Sequence, residues 1–138
     1  MFQTTTEIAA LLKERCIKYE LAENDKFSTA KVGINTKHCA VVFHFISTND
    51  SGDFAMRIFG LLRALEEKRD ALVRTCNALN RKFRFVKFIV AEDGMVNVEF
   101  DLPAAVENPA QAALEILQRT LNILEEAYPE LMRTMWAE

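Results

Sequence analysis

Glycine is scarce in this chain: only Gly33, Gly52, Gly60 and Gly94 are present, and none belongs to a Gly-rich run or precedes a Lys-Ser or Lys-Thr pair. The usual phosphate-cradling loops need several such residues so that backbone amides can approach the anion, and they are excluded. Cysteine is equally sparse. Cys16, Cys39 and Cys76 are too few and too far apart for a disulfide framework, and an odd number leaves one unpaired, which fits reduced thiols in a cytoplasmic protein. No apolar stretch approaches the ~20 residues that cross a bilayer, and the first residues lack the basic and apolar regions of a secretory signal, so no membrane partner is expected. Positive charge is in deficit. A net charge of −3 provides no field for phosphates, and the one basic cluster, Arg81 to Lys87, interleaves with aromatics as a strand with a solvated face does. Nucleic acid is therefore not an expected partner.

What is present is a core. Half the residues are hydrophobic and 27% charged, the balance of a globular chain, and 138 residues suit one domain spanning 1–138 without linker or repeat. Thr4-Thr5-Thr6-Glu7 matches a capping box, predicting a helix from there to about residue 20 along Ile8, Leu11, Leu12, Cys16 and Tyr19, ended by Asn24-Asp25. Three strand-like runs follow, Phe27 to Asn35, His38 to Ser47 and Phe54 to about Leu62, and form a meander. The middle run is apolar at nearly every residue, which predicts a central strand covered on both faces. A helical period then runs from about Leu65 to Arg81. Phe83 to Glu92 and Met95 to Leu102 flank the turn pair Asp93-Gly94 as a hairpin. Asn108-Pro109 opens a last helix whose seam of Leu114, Leu117, Leu121, Leu124, Tyr128, Leu131 and Met135 nears the end of the chain, with Pro129 expected to kink or break it. The fold class is α+β: helix, three-stranded meander, helix, two-stranded hairpin, long C-terminal helix.

Asn77-Ala78-Leu79-Asn80-Arg81-Lys82-Phe83, Asp93-Gly94 and Val98-Glu99-Phe100-Asp101-Leu102-Pro103 resemble the bacterial YbjN family. That resemblance implies the fold of type III secretion chaperones, an antiparallel sheet flanked by helices. Family members are mostly described as regulators, and no catalytic residues carry over.

The search for chemistry returns no catalytic, cofactor-binding or metal residues, and no cofactor is expected. His38 and His44, six apart on one strand, lie about 20 Å from one another by strand rise and cannot share a metal. Neighbouring His38 and Cys39 point to opposite faces of a strand, which removes the most tempting nucleophile and base. Asn49 to Asp53 is too short for a calcium loop, and Glu92, Asp93, Glu125, Glu126 and Glu130 read as solvated carboxylates. The leading expectation is a non-catalytic protein-binding module for a polypeptide client; the alternatives are a regulatory domain sensing a small ligand and, third, an enzyme with an unrecognised site. A homodimer is expected through Ala71, Thr75 and Ala78, small residues about 100° from the leucine face of the second helix, or else through Ile116 and Ile123 on the last helix.

Overall fold

The computed structural model describes all residues, 1–138. Six antiparallel strands form one sheet in the order β1-β2-β3-β4-β6-β5. The strands are β1 (Glu20–Glu23), β2 (Ser28–Asn35), β3 (Ala40–Ser47), β4 (Phe54–Arg63), β5 (Lys87–Val90) and β6 (Met95–Leu102). The helices are α1 (Gln3–Glu14), α2 (Arg69–Lys82), entered through a single 3-10 turn at Glu66–Lys68, and α3 (Pro109–Trp136).

Side chains alternate across a strand, so each strand presents one residue set to the helices and the other to the opposite face. Val32, Val41, Phe43, Phe45, Met56, Ile58, Phe88, Val96 and Val98 are buried in one cluster with Ile8 and Leu12 of α1, Leu72 and Leu79 of α2, and Leu117, Leu124 and Leu131 of α3. On the other face Val42 is 45% exposed and Phe59 is 55% exposed. The expectation of a central strand covered on both faces is therefore corrected: β3 is apolar on both faces but covered on one.

The first helix ends ten residues before Asn24. The Cys16 and Ile17 amides donate to the carbonyls of Lys13 and Leu12 while Cys16 takes a left-handed φ of 59°, a motif that closes a helix and usually places glycine there. The freed chain forms β1, which pairs with β2 from Glu20↔Lys31 to Glu23↔Ser28. Asn24 marks the turn between them, its side-chain oxygen accepting from the amides of Lys26 and Phe27. The expected capping box is also replaced. Phe2 holds the N-cap position, and Thr5 is buried, exchanging hydroxyl bonds with Ser28 and so tying α1 to β2.

The Phe54–Leu62 run is a strand, with a register shift between Ile58 and Leu62 where Gly60 adopts φ 66° and donates its amide to the Asn97 side chain. Asn108 caps α3 by accepting from the Gln111 amide, as its position before Pro109 implies. The helix then continues through Pro129 without the expected break. The carbonyl that Pro129 leaves without a donor belongs to exposed Glu125, where water can reach it, while buried Ala127 and Leu131 hold the helix on both sides.

Candidate functional site

One face of the sheet is left uncovered by the helices. Strand register places Lys31 beside His44, His44 beside Arg57 and Arg57 beside Glu99 across four strands, with Gly33 opposite Val42 one step along. Arg57 staples β4 to β6: its guanidinium lies 3.7 Å from Glu99 and 2.8 Å from Asp101, and it also donates to the carbonyls of Met56 and Phe100. His44 and Phe59 meet edge to face at 5.1 Å between ring centres. A row of charged and imidazole side chains thus crosses the face at His44, with Val42 and Phe59 on one side of it and Ile46 on the other.

His44 titrates below its ordinary value of 6.5, first because burial strips water from the imidazolium and second because Lys31 repels it. The unfolded chain therefore takes up this proton first as pH falls below about 6.5, and stability is lost from there down through the lower folded value. Melting temperatures should fall between pH 7 and pH 5, and the His44→Gln variant should show a smaller fall. An identical pH profile for the two proteins would refute the assignment.

A second grouping lies at the β2–β3 turn. His38 and Cys39 precede β3 rather than lying within it, so strand alternation does not separate them. His38 stacks on Tyr128 with ring centres 6.1 Å apart and lies 3.8 Å from Glu125, while the Thr36 hydroxyl donates to the Cys39 carbonyl and accepts from the His38 and Cys39 amides. Burial, and secondarily Cys39, push the Tyr128 phenol up. These contacts latch the turn onto α3. His38 therefore stands on the helix side and His44 on the open face, so the two histidines do not share a face. No three of the His, Cys, Asp and Glu side chains converge as a metal site would require.

The three thiols differ sharply: Cys16 is exposed, Cys39 intermediate and Cys76 buried, with burial pushing the Cys76 thiol up to about 11. At pH 8 a disulfide reagent should modify Cys16 first, Cys39 more slowly and Cys76 only after denaturant is added. Rapid native labelling of Cys76 would show that α2 does not pack as described.

The expected association surfaces lie partly within the chain. The Thr75 hydroxyl lies 2.7 Å from that of Thr134, and Lys82 pairs with Glu126 at 3.5 Å, so α2 meets the chain's own α3 at the middle of the small-residue strip, while Ala71 is half-buried and Ala78 is exposed. Small side chains there permit intramolecular approach. Ile116 is 3% exposed, and Ile123 is half-buried against the core, so this alternative surface is internal as well.

Asn80 was visible as part of a motif but not as a contact. Its side-chain amide donates to the Phe88 carbonyl at 2.9 Å and its oxygen accepts from the Phe88 amide at 2.7 Å, so α2 caps the outer edge of β5. The YbjN family profile, described as a putative bacterial sensory transduction regulator, matches residues 4–133. The chain belongs to the YbjN family. The match spans α1 to the last turns of α3, so the open face, the hairpin latch and the Asn80 cap all lie inside the YbjN region. No curated protein matches the chain. The YbjN description is regulatory rather than enzymatic, and no helix of the chain is long and apolar enough to cross a membrane.

Proposed function

We propose that this YbjN protein is a non-catalytic cytoplasmic regulator that docks a partner polypeptide on its open sheet face, in the manner of a secretion chaperone. The observation that carries the reading is the exposure of Val42 and Phe59 side by side with His44, at the centre of a face that the chain's own helices leave bare. Large apolar side chains grouped on a surface mark interaction sites, and a polar rim sets their register. The charged row beside these residues carries Lys31, Arg57 and Lys87 together with Glu99, and Asp101 stands next to it, which suits a polypeptide of mixed charge better than a uniformly anionic polymer.

The test pairs affinity capture with a face variant. The Val42→Thr, Phe59→Thr double variant adds no charge and keeps β-branched residues in the strands, so it should remain folded with a melting temperature lowered by at most a few degrees, and should lose a polypeptide that the wild type retains as a purified binary complex. Capture of the same polypeptide at equal strength by both proteins would overturn the reading. So would sedimentation showing a wild-type homodimer that the double variant converts to monomer, since the face would then serve a second copy.

A further inference from the structure

We infer that the cleft between the α1–β1 turn and the β2–β3 corner of the sheet binds a small organic anion, a carboxylate carried on an apolar body. The cleft has a volume of about 720 Å³, and Lys13 with the Cys16 to Glu20 segment faces Lys31, Gly33 and Val42 across it. That volume lies within the range of small-molecule sites. Its charge runs against that of the chain: Lys13, Lys18 and Lys31 line it with Glu20 as the single acid, in a protein whose net charge is −3. None of the three ammonium groups enters an ion pair; Glu20, though opposite Lys31 in register, forms none either. Three cations therefore remain available to an incoming anion.

Between the lysines the lining is apolar, with Ile17, Tyr19 and Val42, which favours an anion with a hydrocarbon portion over bare phosphate or sulfate. Gly33 leaves the floor of the cleft open. A Cβ built there meets nothing within 4 Å, and its φ is not in the left-handed region, so the backbone does not require glycine. The turn that forms the other wall is held by the left-handed Cys16, a conformation that costs an L-residue energy and that the surrounding bonds must enforce. The cleft shares Val42 and Lys31 with the docking face, and Phe59, which does not line the cleft, distinguishes the two.

The experiment is a titration of the ¹⁵N-labelled chain with octanoate at pH 7, with 1-octanol as the neutral counterpart. Octanoate should shift the amides of Ile17, Lys18, Gly33 and Val42 saturably, and 1-octanol should bind about tenfold more weakly or not at all. The Lys18→Gln, Lys31→Gln double variant should weaken octanoate by at least about tenfold. Gly33→Val should abolish the shifts by filling the floor while leaving the melting temperature equal or higher, since valine suits a strand better than glycine. The Phe59→Thr variant, which adds no charge beside the cleft, should bind octanoate as the wild type does, which separates this result from that of the docking test. Absence of saturable shifts, equal binding of 1-octanol, or unchanged affinity in the lysine double variant would overturn the site.

Discussion

Phe43→Ala should destabilise the protein by about 3–5 kcal/mol, the largest effect expected of any single change considered. Phe43 is 0% exposed at the centre of β3 and stacks on Phe45 with ring centres 6.2 Å apart. Truncation removes a ring from an interior that helices close on one side and strands on the other, and the walls can only partly collapse into the space. A domain's whole stability is about 5–15 kcal/mol, so a large share is lost. Urea unfolding should show a lower midpoint with the slope unchanged. The adjacent Val42→Ala, whose side chain points to the open face, should cost well under about 1 kcal/mol. Similar costs at the two positions would mean that both faces of β3 are covered.

Asn80→Ala should cost about 2–3 kcal/mol, although Asn80 is neither fully buried nor apolar. Its amide makes two bonds to the backbone of Phe88, which points away from β6 and has no strand partner on that side. Alanine leaves a donor and an acceptor unpaired beside a residue that is 1% exposed, so the penalty exceeds the net value of two ordinary hydrogen bonds. Asn80→Asp keeps the acceptor and loses the donor, and should fall between the two. Amide exchange supplies the check: the Phe88 N–H should lose protection in Asn80→Ala before the amides of β3 do. Unchanged protection there would show that α2 does not hold the β5 edge. An uncapped strand edge also invites pairing between chains, so the variant should aggregate more readily on heating.

These residues show where sequence reading succeeds. Val98 is legible as interior because the alternation along Met95 to Leu102 has a fixed period, and Asp93-Gly94 is legible as a turn because glycine there takes φ 84°. Asn108-Pro109 is legible as a helix start because cap and proline act within one turn of backbone. Cys16 is the instructive failure. The bonds that end α1 are local, but they use a cysteine in a conformation normally assigned to glycine, so the apolar spacing through Cys16 and Tyr19 reads as continued helix and β1 is hidden.

The sequence by itself determined the local periods of this YbjN chain, and with them the α+β class, the main strands and helices and most of the core, because hydrophobic spacing and turn chemistry act between residues a few positions apart. Which apolar faces are covered was decided only by the tertiary structure. Val42 and Phe43 are both hydrophobic, and nothing local distinguishes a residue facing a helix from one facing water. Packing α2 against α3 consumed the small-residue strip around Thr75, and packing all the helices on one face of the sheet left Val42 and Phe59 bare. The Lys13, Lys18 and Lys31 cleft arises in the same way, since long-range strand pairing brings together residues whose separation along the chain carries no periodic signal.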